Sequence, residues 1–352
     1  MAMRNQSSTE PHLRAFAVAI ALSFLVAVVA YGGRGDKAGT AAAQELLIPV
    51  GAGSIALGGS SLAVVAGIDA LYWNPAGLVR SADGTNATFS HMSYFAGIGV
   101  DYAAVSTKLP DIASIGIAVK SLSFGQIPVT TEDSPDGNGQ LASPSFVVVS
   151  GALSRLITDH IAFGFSGNVI FENMDKVSAT GVAFSFGLQY SGLGGVDGLS
   201  FGVTVDNIGP AMTYDGDGLL RVGQVDDVLR PETTYKIQAA SDDLPSMIDI
   251  GLGYSISVSE RDQAQLTTTF RDNDFSDDEY RFGAEFIHDR IVSFRAGYSM
   301  SAASGSSDYI YGFSGGIGIA VRFQGINLAV DYAYRSASFF SGNHVLSLNF
   351  GF

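Results

Sequence analysis

From Asn86 to Phe352 the chain repeats one unit: a run of alternating apolar and small or polar residues, then a turn rich in Gly and Asp. The last unit shows the pattern. His344, Leu346, Leu348, Phe350 and Phe352 alternate with Val345, Ser347, Asn349 and Gly351. Successive side chains of a strand point to opposite faces, so one face of each strand is apolar and the other small or wet. Sustained over a whole chain, this pattern predicts a transmembrane β-barrel.

Fourteen strands are predicted, at 85–95, 100–109, 114–124, 146–156, 161–171, 182–190, 199–207, 248–256, 263–271, 280–288, 291–300, 311–323, 326–335 and 343–352, with a further short strand at 233–239. An even number lets a single chain close without a free edge. Pro110, Pro128, Pro135, Pro144, Pro210, Pro231 and Pro245 all fall at turns or strand ends, where no ladder hydrogen bond is lost. Long connections (124–145, 208–246, 271–279, 300–310) are interspersed with tight ones (157–160, 288–290, 324–325), the usual asymmetry of outer loops and periplasmic turns. The predicted fold class is therefore all-β: a 14-stranded antiparallel transmembrane β-barrel with a small N-terminal plug. A soluble sandwich or propeller also alternates, but it does not need a large apolar face on nearly every strand.

The front of the chain breaks the pattern. Arg4 and Arg14 precede the apolar run Ala15 to Tyr31, and a polar stretch then leads to Ala41-Ala42-Ala43-Gln44. A positive flank, an apolar core and small residues before a cleavage point are the parts of a signal peptide, so 1–43 is assigned as one, cut after Ala43. The alternative is an uncleaved anchor, for which 17 apolar residues is at the short limit. Residues 44–85 form the expected plug: Ile48 to Gly67 is rich in Gly, Ala and Ser, with a short helix predicted at 62–68. Residues 86–352 form the barrel.

Composition narrows the chemistry. The chain has 352 residues, no Cys, 43 Gly, 15% charged residues and a mean hydropathy of +0.25. Without Cys there are no disulfides, thiol nucleophiles or thiolate metal sites. The net charge is −15, and the first 43 residues carry four basic against two acidic side chains, so the body is more acidic still. That argues against nucleic acid as a partner, which needs a basic footprint. His12, His91, His160, His288 and His344 are scattered, with no pair at metal-ligand spacing. Gly192–Gly195 reads as a turn, since no helix pattern follows it. The acidic stretch 271–279 lacks the Gly and Glu that a calcium loop needs. No catalytic constellation, metal or cofactor is expected.

If the apolar set faces lipid, the inward set is mostly small: Gly116, Ala118, Ala162, Gly164, Ser166, Ser185, Gly187, Gly316, Gly318 and Ala320. A 14-stranded barrel is too wide for such side chains to fill, so the plug or water occupies it. Lys120, Glu285, Arg295, Arg322, Asp331 and Arg335 share the inward parity. On the lipid face a Lys or Arg at mid-depth would cost about 2–4 kcal/mol. Inside, these charges either pair between wall and plug or form a polar constriction along a transport path.

Three stretches carry a resemblance. The segment Asp69-Ala-Leu-Tyr-Trp-Asn74-Pro75-Ala76-Gly77-Leu78 resembles the hatch of the FadL superfamily of outer-membrane proteins. Val205-Asp-Asn207-Ile-Gly209-Pro210, and Arg281-Phe-Gly283-Ala-Glu285-Phe286 with Phe294-Arg295-Ala-Gly297-Tyr298 and Val330-Asp331-Tyr332, are similar to the PorV/PorQ family within it. The resemblance implies a barrel in the outer membrane of a diderm bacterium. It implies association with protein secretion of the type IX kind, or transport across that membrane. The alternatives are a FadL-like channel for long-chain fatty acids or other hydrophobic small molecules, and a structural surface protein. The implied partners are outer-membrane lipid, the barrel-insertion machinery, secreted proteins or secretion components, and a hydrophobic ligand. Asp69, Asn74, Pro75 and Gly77 are the plug motif that it carries over. Pro75 fixes its own φ and pushes Asn74 to extended geometry, while the Asn and Asp side chains can hold the turn. Trp73 and Tyr72 are expected to pack the plug.

Phe350 and Phe352 are assigned as the membrane-insertion signal, because the last strand presents an aromatic end to the insertion machinery. Deleting Phe352 is expected to lower the amount of folded barrel in outer-membrane fractions; normal levels on quantitative immunoblots would refute that assignment.

Overall fold

The computed structural model describes residue 37 and residues 39–223, 232–303 and 309–352. Most of the predicted signal peptide, residues 1–36, lies outside the described residues. Fourteen antiparallel strands close into one barrel. They are β1 (Thr85–Ser93), β2 (Gly99–Leu109), β3 (Ala113–Ser123), β4 (Ser145–Leu156), β5 (Ile161–Met174), β6 (Val177–Ser191) and β7 (Leu199–Ile208). The second half is β8 (Met247–Ser257), β9 (Asp262–Asn273), β10 (Glu279–His288), β11 (Val292–Ser301), β12 (Tyr311–Phe323), β13 (Ile326–Ala337) and β14 (Asn343–Gly351). Neighbours follow chain order all the way round, and β1 closes on β14 with Phe89 opposite Leu348. The wall begins at Thr85, one residue ahead of the predicted boundary.

Each predicted strand is present, with differences at the ends. β5 and β6 run on to a tight turn at Asp175-Lys176, with Asp175 at φ 58°, where a longer connection is predicted. Their outer ends carry Glu172, Asn173, Ser178 and Thr180 with only Met174 and Val177 as larger apolar residues, so the alternation weakens although the ladder continues. The short strand predicted at 233–239 forms as Thr233–Lys236, but it pairs with Leu220–Gly223 in the loop after β7 and stays out of the wall. The helix predicted at 62–68 does not form. Two 3-10 turns, Ser61–Ala63 and Gly67–Asp69, replace it, broken by Gly67 at φ +69°.

The alternation resolves into an outer and an inner face. Phe89, Val105, Ile117, Leu153, Phe163 and Leu346 lie on an exposed apolar band, while their chain neighbours Ser90, Ala104, Ala118, Ala152, Ala162 and Val345 are buried. Apart from the Asp175-Lys176 turn, the tight turns gather at one end with the carboxy-terminus, where the Phe352 amide donates to the Thr85 carbonyl at 2.9 Å. The long connections after β3, β7 and β11 gather at the other end, which is the outer one by the asymmetry of such barrels.

The amino-terminal segment fills the lumen from end to end. Lys37 pairs with Asp274 beside the long loops, and the Ala42 amide donates to the Asp243 carbonyl at 2.9 Å. The chain then turns through α1 (Ala52–Ala56) and α2 (Ala70–Trp73), and a 3-10 turn at Pro75–Arg80. It leaves at the opposite end, where the Arg80 guanidinium donates to the His160 carbonyl at 2.7 Å and the Gly84 amide donates to Phe352. Ile55, Leu62 and Leu78 are fully buried, each contributing about 1.5–3 kcal/mol by leaving water.

Wall glycines make this fit possible. A Cβ on Gly164 would lie 2.2 Å from the Pro75 carbonyl carbon, one on Gly297 2.2 Å from the Gly58 nitrogen, and one on Gly202 2.8 Å from the Ala63 Cα. Backbone cannot retreat from such contacts as a flexible side chain can. Gly164→Val is therefore expected to displace the Pro75 turn while leaving the strands paired. Trypsin should then cut at Arg80 in the detergent-solubilised barrel, and a cleavage rate equal to wild type would contradict this packing.

Candidate functional site

The plug motif is built around Asn74, which is completely buried. Its backbone is extended (φ −163°, ψ 102°), as a residue before proline should be. Its Oδ1 accepts from the Ala76 amide at 3.1 Å, and its Nδ2 donates to the Leu62 carbonyl at 3.0 Å and the Leu188 carbonyl of β6 at 3.2 Å. Pro75 begins the following 3-10 turn, which lies against β4 to β6. Gly77 has no room for a side chain, since a Cβ would stand 2.1 Å from the Val65 carbonyl oxygen. Asp69 is placed differently from Asn74. No side-chain hydrogen bond caps its own turn; it stands near Asp331 and Arg295 of the wall. Trp73 donates its indole N–H to the Val50 carbonyl at 3.0 Å, and Tyr72 packs edge-on against its ring.

The six inward charges do not converge on one constriction. Arg295 joins Glu285 at 2.6 Å and Asp331 at 2.5 Å, a buried triad within the wall strands β10, β11 and β13. Lys120 reaches the plug, with its ammonium 3.0 Å from the Ile48 carbonyl and 4.8 Å from the centre of the Tyr72 ring. Arg335 sits nearer the outer end, donates to Asn343 Oδ1 at 2.9 Å and stacks 3.8 Å from the Tyr311 ring centre. Arg322 is exposed beside the tight turn between β12 and β13, at the opposite mouth. Sequence parity also held an overlooked pair: Arg271 and Asp249 share the inward face of β9 and β8 and form a buried bidentate bridge at 2.7 and 2.6 Å. Arg281 and Glu279, close by, pair at 2.5 Å.

Two cavities lie on either side of the wall at β10 and β11. The lumenal one, about 550 Å³, lies between plug and wall towards the outer end and is mixed in character: Trp73, Tyr94 and Tyr311 line it together with Glu279, Arg281 and Arg335. Arg335 has no carboxylate partner there among the described residues. The second, about 480 Å³, is a depression on the lipid-facing side of β8 to β12. Small residues, Thr268, Ala284 and Ala296, make its hollow, and Leu266, Phe282 and Tyr298 its rim. Gly58 and Gly59 line the lumenal cavity, against the inner side of the wall that carries the depression. A Cβ on Gly58 would be 3.0 Å from the Tyr298 nitrogen in the wall, and one on Gly59 3.1 Å from the Trp73 ring in the lumen. Both have positive φ, +68° and +78°, so glycine suits the bend as well as the space.

This fold and interior define a class: an outer-membrane β-barrel of fourteen strands closed around an amino-terminal plug. Solved structures of the same fold include the toluene transporter TodX of Pseudomonas putida, with a TM-score of 0.54 at 13% identity over 84% of this chain and 96% of that one. The CymD monoaromatic hydrocarbon channel matches with a TM-score of 0.52 at 12% identity, over 87% of this chain and 98% of that one. A FadL homologue of Pseudomonas aeruginosa aligns at 11% identity with a TM-score of 0.49, over 86% and 98%. At these identities the likeness is one of fold. No protein-family model and no curated protein sequence matches the chain.

Asn74→Ala is expected to leave the buried Ala76 amide without its acceptor, destabilising the docked plug by about 1–3 kcal/mol. The midpoint of the heat-induced mobility shift on semi-native gels should fall; an unchanged midpoint would show that the Asn does not hold the plug.

Proposed function

We propose that the chain is a channel for hydrophobic small molecules, the reading kept above as the alternative to a secretion role. The observation that carries it is the apolar depression on the lipid-facing side of β8 to β12, with a cavity rimmed by aromatic rings and Arg335 in the lumen behind the same stretch of wall. A molecule arriving from the outer end meets aromatic rings in the lumenal cavity. Joining that cavity to the depression facing lipid takes a shift of the two-glycine turn together with a parting of the paired strands β10 and β11. A hydrophobic molecule could then pass sideways into the membrane and avoid the polar lumen below. The wall at this point is thin: Gly283 faces Gly297 and Ala284 faces Ala296 across β10 and β11. That TodX and CymD are named as hydrocarbon channels gives this reading further support.

Arg335 narrows the ligand class. Its guanidinium faces the aromatic cavity, with hydrogen bonds to one amide oxygen and no carboxylate partner among the described residues. A carboxylate on an apolar tail satisfies both features, so a long-chain fatty acid fits better than a neutral hydrocarbon. Charge-assisted bonds of this kind are among the strong ones. A PorV/PorQ-like role in secretion rests on the sequence resemblance alone.

Uptake of a labelled long-chain fatty acid and of a labelled aromatic hydrocarbon into cells tests this. Ala284→Trp should fill the lateral depression and lower uptake of both. Arg335→Met should lower fatty-acid uptake about tenfold, the loss of roughly 1.4 kcal/mol of binding, and spare the hydrocarbon. Wild-type uptake no faster than in cells without the barrel would sink the channel reading, and co-purification of a secreted protein would favour the other.

A further inference from the structure

Two buried carboxylates meet where the outer part of the plug touches the wall. Glu45 is 1% exposed, and the side chain at hydrogen-bond range of its carboxyl is that of Glu172, another acceptor unless one of the two carries a proton. Glu172, on β5, is 4% exposed and stands beside it. One Glu172 oxygen takes the Tyr214 hydroxyl and the other the Ala43 amide, at 3.1 Å. Lys120 is the nearest buried cation, but its ammonium donates to the carbonyls of Leu46 and Ile48. Like charges buried together are unfavourable unless a proton or a cation comes between them.

Ala43 is itself unusual. It is 1% exposed, and its φ is +50°, a left-handed conformation that a residue with a Cβ seldom adopts. That torsion exists only while residue 42 is attached. The chain before Ala43 leads outward, past Asp243 to Asp274 beside the long loops. An apolar leader held in the cytoplasmic membrane cannot also feed the outer mouth of the barrel, so the leader has to be gone before the plug docks.

We propose that the leader is removed between Ala42 and Ala43, and that the α-ammonium freed on Ala43 is the buried cation for Glu45 and Glu172. Hydrolysis consumes one water. It leaves a carboxylate on Ala42 in the released leader and an amine on Ala43, which takes up a proton at neutral pH. The ammonium has three donors where the peptide had one, so it can serve Glu172 and reach Glu45, and the φ strain at Ala43 disappears with the bond. Small residues at Thr40 and Ala42 suit the cleavage. The cut expected from sequence, one bond later, would discard the nitrogen that meets Glu172 and leave Gln44, which is exposed, as the first residue.

Intact mass of the barrel purified from outer membranes in mild detergent should place the first residue at Ala43. Reductive methylation of the native protein at neutral pH, followed on the N-terminal peptide, should modify that amine about tenfold more slowly than in Glu172→Gln or Glu45→Gln, the factor for one unit of stabilised charge. Either variant suffices if the other fails to fold. A chain starting at Gln44 or upstream of Ala43 would overturn the proposal. So would an Ala43 amine that reacts equally fast in wild type and variants, which would leave a shared proton to hold the acids together.

Discussion

The structure depends on how closely the backbone of the plug can approach the backbone of the wall. Fourteen strands enclose more space than their inward side chains occupy, because those side chains are largely Gly, Ala and Ser. An empty lumen of that width would fill with water. Here the plug fills it, and the fit is made where a wall residue has no Cβ: Gly164 under Pro75, Gly187 under Asn74, Gly202 under Ala63 and Gly297 under Gly58. Ser347 and Ser154 add hydrogen bonds at the same close range, to the Ala52 amide and the Ala76 carbonyl, both at 2.8 Å. The barrel and plug are thus one packed body, in which a methyl group on the wall is felt by the plug.

That packing is uneven in kind from one side of the barrel to the other. Next to β4 to β6 the plug is held by a completely buried Asn and a proline turn. Next to β10 and β11 it is held by a turn of two glycines, with cavities on both sides. The two-glycine turn contributes no side chain to either neighbour, and its fit to the wall is backbone against backbone at Gly297. The Asn74 corner is tied to the wall by side-chain hydrogen bonds, and the glycine turn by close approach alone.

Polar groups inside the barrel divide by partner. Arg271 with Asp249, and Arg295 with Glu285 and Asp331, are matched within the wall and brace neighbouring strands. Such bridges gain little over apolar packing but make removal of one partner costly. Lys120 is matched to plug carbonyls and ties the two parts together. Arg335 and the Glu45–Glu172 pair have no ion-pair partner of opposite charge among the described residues, and both lie towards the outer half, where the two proposals above place a ligand and a chain terminus.

The sequence by itself determined the strands, their number, the closed sheet and the face each side chain takes, because period-two alternation is local and a lipid-facing surface enforces it on every strand. It also marked the Asn74-Pro75 corner, whose geometry follows from proline. It did not decide which inward charges meet, why Arg322 ends at an exposed mouth while Arg295 ends in a triad, or that Thr233–Lys236 would leave the wall. Nor did it show that the plug starts at the outer end, so that Ala43 lands on Glu172 from 129 residues away. Those outcomes needed the tertiary structure, since contacts across a closed lumen join residues far apart in the chain, and no local periodicity records which will be neighbours once the cylinder shuts.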